Sequence, residues 1–196
     1  MPNYCNFTCL ITGPKKGIDR FIQAAQTDYH VSEPNEPEHF WRVFEFDVDT
    51  IEDLGHGLYQ AHATGYCAWS VHTCFTEGGY QRDWFGKQNT THNGITIERI
   101  CAEEGLVVEF YSDEIGMGFS EHIIYVVKDL HLDHDADYTE CDSEMDLEEL
   151  NERSGLNWTQ EQWDEYFKEE DYYICCEHNW EFSDHLKLLE EYGYEY

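Results

Sequence analysis

Apolar and polar residues alternate along several short segments of the chain, a pattern typical of strands with one buried face. Residues 4–12 carry four apolar side chains at alternate positions: Cys5, Phe7, Cys9 and Ile11. Residues 40–48 alternate in the same way. The pattern also predicts strands at 66–75, 106–112 and 122–127.

Between these strands, apolar residues recur at the three- and four-residue spacing of an amphipathic helix. This spacing predicts helices at 15–27 and 95–104, and a shorter helix at 51–63, a segment that contains two glycines. Gly105 directly follows the 95–104 helix. Glycine is common there because it adopts left-handed backbone geometry at little cost.

The order of the predicted elements indicates the fold class. Through residue 128 it reads β-α-β-(α)-β-α-β-β. Two βα units of this kind predict an α+β domain with a ferredoxin-like split βαβ sheet and helices on one face, covering residues 1–128. Residues 129–196 differ in composition and are predicted to form an acidic, mainly helical extension packed on that domain.

The extension carries helix signals that an unstructured acidic tail would lack. Residues 145–150 contain apolar side chains at helical spacing. Thr159 and Gln162 form a capping-box pattern at the start of a second helix. Ser183 is predicted to cap a last helix.

Charge is the most unusual property of the sequence. The chain has 42 acidic and 11 basic residues, a formal net charge of −31. Residues 129–196 hold 23 acidic and 3 basic residues, or −20. This excess opposes direct binding to nucleic acid or to an anionic membrane. With no secretory signal at its start and no apolar stretch long enough for a membrane, the chain is expected to be cytoplasmic, with free and mostly buried thiols.

Four local motifs are distinctive: the opening Met1-Pro-Asn-Tyr-Cys-Asn6, the segment Ile11-Thr-Gly-Pro14 before a helix, Cys67-Ala-Trp-Ser-Val71 on a strand, and Glu114-Ile-Gly-Met-Gly-Phe-Ser-Glu-His122 between strands. Together they resemble the YubB-type ferredoxin-like proteins of phages and plasmids. The likeness covers about residues 1–128. It implies a ferredoxin-like fold and a mobile-element origin, and it assigns no catalytic residue.

One acidic run has the spacing of a calcium-binding loop. Asp133, Asp135, Asp137 and Glu144 occupy positions 1, 3, 5 and 12 of an EF-hand-like pattern. Tyr138 stands where the sharp turn of that loop needs glycine, and the preceding segment is predicted to be a strand. Solvated acids are therefore the favoured interpretation, with a calcium-binding structural or sensor module as the alternative.

Two other groups of residues, a candidate zinc site and a candidate nucleophilic triad, lack the sequence motif expected for such sites. A zinc site would draw on residues without the usual Cys-x2-Cys pair: His131, His134, Cys175, Cys176 and His178. A nucleophilic triad would combine Ser70 or Cys74 with His72 and Asp83, but no nucleophile elbow is present. We therefore predict no catalytic residue, no metal and no cofactor, and keep an unrecognised small enzyme as a further alternative.

The charge pattern instead predicts a binding protein. Duplex DNA carries one charge per roughly 1.7 Å of axis, so 20 excess charges correspond to about ten base pairs. We predict a nucleic-acid mimic of phage or mobile-element origin that binds and inhibits a basic, nucleic-acid-binding host defence protein, with CRISPR effector nucleases among the expected targets. The predicted partner-binding residues are Asp133, Asp135, Asp137, Glu140, Asp142, Glu144, Glu148, Glu149, Glu161, Asp164, Glu165, Glu169, Glu170 and Asp171.

Overall fold

A six-stranded sheet forms the centre of the structure, a computed structural model. It describes residues 4–28, 37–77, 94–114, 119–126, 129–133, 147–148, 151, 157–162 and 181–193. The strands are β1 Tyr4–Pro14, β2 Val43–Gly55, β3 Leu58–Ala68, β4 Val107–Glu114, β5 Phe119–Val126 and β6 Asp129–Asp133. The helices among them and after them are α1 Lys15–Gln26, α2 Val71–Phe75, α3 Ile97–Glu104 and α4 His185–Glu191.

The predicted ferredoxin-like split βαβ fold class is wrong. The sheet has the order β2-β3-β1-β4-β5-β6, with every neighbouring pair antiparallel, so it continues for two strands beyond β4. In the part of the chain that the structure describes, more residues lie in strands than in helices. The sequence pattern also assigned two segments to the wrong element.

The first of these segments is 51–63, predicted as a helix and observed as the hairpin between β2 and β3. β2 ends at Gly55 and β3 begins at Leu58, which leaves His56 and Gly57 as the connection. Their φ angles are 53° and 82°. Positive φ at both positions is the geometry of a type I′ turn, whose twist matches that of the flanking strands. Gly57 is therefore a turn residue, and Gly55 ends β2 beside it.

The second segment is 66–75, predicted as one strand. β3 stops early and the chain starts α2, because Ser70 supplies a helix cap. Its Oγ accepts a hydrogen bond from Thr73 N at 2.9 Å. The carboxylate of Glu121 accepts another from Val71 N at 2.8 Å. Two of the backbone N–H groups that a helix start leaves unpaired are thereby satisfied.

The main core lies between one face of the sheet and α1, α2 and α3. The predicted apolar face of β1 is confirmed, since Cys5, Phe7, Cys9 and Ile11 are at most 5% exposed. Five phenylalanine rings pack in contact, with centroid distances of 4.7 to 6.5 Å: Phe7, Phe21, Phe40, Phe75 and Phe110. The described cysteines are free and buried, as expected of core thiols: Cys5, Cys9, Cys67, Cys74 and Cys101.

Several predicted helix ends are confirmed in detail. Gly105 ends α3 with φ 70°, and its N–H donates to Cys101 O at 2.8 Å. Thr159 and Gln162 form the reciprocal bonds of a capping box, with Gln162 N donating to Thr159 Oγ1 at 3.3 Å and Thr159 N donating to Gln162 Oε1 at 2.9 Å. The last helix is capped by Asp184 rather than by Ser183.

The opposite face of the sheet is largely polar, and we call it the polar face. Its central side chains are Thr8 and Thr12 of β1, Gln60 and His62 of β3, Glu109 and Tyr111 of β4, and His122 of β5. Residues 181–193 cover part of this face. The apolar part of that contact joins Leu189 of α4 to Val107 and Val126.

Candidate functional site

The structure describes three of the fourteen predicted partner-binding acids. Asp133 ends β6 opposite His122 in the strand register. Glu148 and Glu161 are exposed. The others lie outside the described residues: Asp135, Asp137, Glu140, Asp142, Glu144, Glu149, Asp164, Glu165, Glu169, Glu170 and Asp171.

The alternative metal and catalytic sites also fall mainly outside the described ranges. Most of the acidic run 133–144 lies there, as do four of the five candidate zinc ligands and Asp83 of the candidate triad. Among the described residues, no group of three or more His, Cys, Asp or Glu side chains could hold a metal ion. Ser70 is engaged as the cap of α2, and the Cys74 thiol is buried and donates to Ala68 O at 2.9 Å.

The most acidic described surface belongs to β2, which the sequence analysis did not assign to binding. Among the described strands, β2 lies at an edge of the sheet, because β3 is the one neighbour it has there. Five of its side chains are exposed carboxylates: Glu45, Asp47, Asp49, Glu52 and Asp53. The composition of this strand was visible in the sequence. Its position at an edge was not, since strand order depends on pairing between distant segments.

Most of the described basic residues pair with the protein's own carboxylates. Arg20 is the clearest case, with bonds of 2.8 Å to Glu38, Glu103 and Glu104. Hydrogen bonding, above all with Glu38, raises the pKa of the Arg20 guanidinium above its usual range. In return, hydrogen bonds from Arg20 and Arg99 lower the pKa of Glu103.

Four other described cations also pair with carboxylates of the protein. Lys15 pairs with Asp19, and Lys187 pairs with Glu191 at 3.7 Å. Lys16 reaches Glu104 at 3.5 Å, and Arg99 reaches Glu103 at 3.0 Å. These pairs contribute little to stability individually, because exposed pairs are well solvated. Their consequence is that this part of the fold presents few uncompensated positive charges.

Arg42 is engaged differently, by two indole rings. Its guanidinium carbon lies 4.4 Å from the ring centroid of Trp69 and 5.4 Å from that of Trp41. Arg42 and Trp69 both have positive φ, 54° and 68°. Such geometry is uncommon for bulky residues and is retained where the surrounding structure holds it in place.

Three aromatic rings meet at the corner of the polar face next to the acids of β2. Tyr4 lies 5.6 Å from Phe44 and 5.5 Å from Tyr66 between ring centroids, and Phe44 lies 6.0 Å from Tyr66. Tyr4 is 56% exposed. A hydrogen bond to Glu45 raises the pKa of Tyr66. This corner combines exposed aromatic surface with exposed carboxylates.

A buried carboxylate organises the covered part of the polar face. Glu109 is buried and accepts hydrogen bonds from both sides: from His122 Nε2 at 2.7 Å and from His185 Nε2 at 3.0 Å. Ser183 adds bonds from its N–H at 2.9 Å and from its hydroxyl at 3.1 Å. Tyr111 OH lies 3.1 Å from the same carboxylate. Glu109 is thus the polar anchor of the covering segment 181–193.

The protonation of this cluster follows from those contacts. Burial alone would raise the pKa of Glu109, but the bonds from His122 and His185 more than offset it and hold the pKa well below its usual range. Burial, together with the neighbouring Glu109 carboxylate, raises the pKa of Tyr111. Glu109 is therefore ionised and Tyr111 is protonated near neutral pH.

Two hydrogen-bond chains on the polar face have the order carboxylate, imidazole, hydroxyl. In one, His185 bridges Glu109 and Thr12, with Nδ1 2.9 Å from Thr12 Oγ1. In the other, Asp49 lies 2.8 Å from His62 Nδ1, and His62 Nε2 lies 3.2 Å from Thr8 Oγ1.

The order resembles a catalytic triad, but the surroundings favour a structural role. The strand that carries both threonines is paired with a neighbour on each side. Its backbone N–H groups are therefore used within the sheet, and β1 offers no oxyanion hole beside either hydroxyl.

Comparisons with known protein families, with curated proteins and with solved structures find no match for this chain. The resemblance of residues 1–128 to YubB-type proteins therefore stays a prediction. Within the described ranges, no helix has both the length and the apolar character needed to cross a membrane.

Proposed function

We propose that this protein binds a basic, nucleic-acid-binding protein at the surface that normally holds nucleic acid, and thereby inhibits it. The partner would be a host defence protein of the kind that phage or plasmid products antagonise, such as a CRISPR effector nuclease, and the encounter would take place in the host cytoplasm. This proposal assigns the protein no catalytic residue and no cofactor.

The observation that carries the proposal is the contrast between compensated and uncompensated charge. Five of the six described cations pair with carboxylates, and the sixth is stacked on indole rings. The acids of β2 are exposed on the sheet edge instead, and of these Asp49 also contacts His62 at 2.8 Å. Glu45 and Asp47 form no ion pair with any described cation. Among the described residues, positive charges are thus compensated by neighbouring groups, whereas β2 presents exposed carboxylates in a row.

The number of charges per unit length along β2 is of the same order as that along a nucleic-acid strand. Glu45 and Asp53 are eight residues apart, or about 27 Å at the rise of a strand. A DNA strand carries one charge per roughly 3.4 Å, so about eight charges over that length. β2 carries five acids there. Together with the acids of residues 129–196, this supports a field that a basic channel would recognise.

Capture from a lysate of the bacterial host tests the proposal. We expect immobilised protein to retain a basic, nucleic-acid-binding protein, identified by mass spectrometry, and to lose it as salt rises. An acidic protein of similar size and charge without this fold serves as the control for nonspecific retention. Retention of the same set of proteins on both supports would contradict the proposal.

A further inference from the structure

We infer that the corner of the polar face formed by Tyr4, Phe44, Glu45, Asp47 and Tyr66 is a docking site for an arginine side chain of the partner. We call it the aromatic–acidic corner. The inference rests on the proposed function, because it specifies where and through which residue type a basic partner is bound.

The corner offers both interactions that a guanidinium group uses. Its rings lie within 6.0 Å of one another between centroids, with Tyr4 exposed over more than half of its surface. Glu45 and Asp47 are two residues apart and project on the same side of β2, opposite Tyr66 and Thr64 in the register. A planar guanidinium stacks on aromatic rings and donates paired hydrogen bonds to carboxylates, which a lysine ammonium cannot do in the same way.

A cleft that shares Phe44, Glu45 and Asp47 with the corner lies on the α1 side of β2. It has a volume of about 520 Å³ and lies between residues 43–47 of β2 and the end of α1. Its apolar lining includes Val43, Phe46 and Ala25. Such a lining suits the apolar stem and charged end of arginine.

Other parts of the same molecule show why this corner differs from the remaining acids. The carboxylates around α1 and α3 are already occupied by Arg20, Arg99 and Lys16. Arg42, stacked beside Trp69, shows the aromatic–guanidinium contact within the fold itself. Glu52 and Asp53 are also exposed but lie near the hairpin, away from the three rings. They supply a matched control.

The test is a calorimetric titration of the full chain with an acetylated hexa-arginine amide and, in parallel, with the hexa-lysine peptide. We expect tighter binding of the arginine peptide, and a roughly fivefold loss of its affinity in Glu45→Gln/Asp47→Asn. The control Glu52→Gln/Asp53→Asn removes the same charge from the same strand and is expected to change affinity less than about twofold. Tyr4→Ala should remove the preference for arginine over lysine.

Equal losses in the two double variants would overturn the inference, because they would show a general acidic field without a docking site. Unchanged affinity in both would overturn it as well. If Glu45→Gln/Asp47→Asn loses its circular-dichroism strand signal, the exposed Tyr4→Ala variant decides instead. If the lysate capture fails but the two double variants still differ in peptide affinity as expected, only the proposed function is rejected. If the capture succeeds but the two double variants do not differ, only the docking site is rejected.

Discussion

At the scale of single residues, Glu109 holds the covering segment 181–193 to the sheet through bonds from Ser183 and His185. Its Val-Glu-Phe-Tyr context on β4 shows a polar residue in a strand, which the sequence analysis passed over. Its partners His122 and His185 lie 13 and 76 residues away. No local pattern identifies such partners, so this cluster could be found only once the strands and the covering segment were placed.

We expect Glu109→Gln to destabilise the fold by about 2–3 kcal/mol. The amide has one acceptor oxygen in place of two, so it cannot accept from both His122 and His185. The donors on one side lose their acceptor, and His185 is buried away from water. Urea denaturation measures the free energy of unfolding, and hydrogen exchange at His185–Glu191 reports release of α4. Glu52→Gln makes the same chemical change at an exposed site and should stay within about 0.5 kcal/mol of wild type. Equal losses in both variants would contradict the role of Glu109.

The same carboxylate predicts a pH dependence. Because the folded pKa of Glu109 is lowered, its contribution to stability is fully present above the unfolded value of 4.5 and is lost as pH falls through the folded pKa. The difference in unfolding free energy between wild type and Glu109→Gln should therefore shrink as pH falls below about 4.5. Urea midpoints measured from neutral to acidic pH check this. A difference that grows on acidification would show the opposite sign of the shift.

At the scale of elements, the sequence predicted those whose signals are local. The alternation of β1, the cap at Gly105 and the capping box at Thr159 are each encoded within a few residues, and the structure confirms them. The hairpin at 55–58 was missed because two nearby glycines are compatible both with a weakened helix and with a turn between strands. The position of β2 at the edge depends on pairing across the whole sheet, which residue patterns do not record.

Alanine substitutions at two glycines of the β2–β3 hairpin distinguish the cost of backbone strain from the cost of steric overlap. Gly57 has φ 82° and open space around it. Gly57→Ala should therefore cost about 1 kcal/mol, from left-handed geometry alone. At Gly65, an added Cβ would lie 2.2 Å from Glu45 O, an atom of the neighbouring backbone. Gly65→Ala should cost about 3 kcal/mol, since β2 must move.

Thermal or urea unfolding of the two variants compares these costs, with Thr64→Ala as the exposed control on the same strand. A smaller loss for Gly65→Ala than for Gly57→Ala would mean that β2 and β3 approach less closely than the structure shows. The comparison also bears on binding, because Gly65 lies directly opposite the acidic segment of β2.

At the scale of the whole molecule, the account depends on charge acting as a field. We expect reversal of several acids to matter far more than reversal of one, because each exposed acid is screened individually. The set to reverse to lysine is Glu148, Glu149, Glu161, Asp164, Glu165, Glu169, Glu170 and Asp171. Affinity for the captured partner should fall at least tenfold and lose most of its salt dependence. Any one reversal alone should change it less than about threefold.

The contribution of β2 to partner affinity is measured in the same way. Reversal of Asp49, Glu52 and Asp53 to lysine removes negative charge from the hairpin end and leaves the residues of the aromatic–acidic corner unchanged.

The eightfold variant can also contradict the account. If it folds, by circular dichroism, and binds as tightly as wild type at every salt concentration, the acids of residues 129–196 do not contribute to binding. A loss confined to the β2 variant would then place the binding surface on the sheet edge.

Competition for the captured partner tests the central claim most directly. Fluorescently labelled duplex DNA or guide-like RNA is bound to the purified partner, and unlabelled protein is added at about 0.05 M and about 0.5 M salt. A mimic displaces the nucleic acid completely at low salt, with an affinity that weakens steeply as salt rises. Formation of a ternary complex in which the nucleic acid stays bound, or displacement independent of salt, would contradict mimicry.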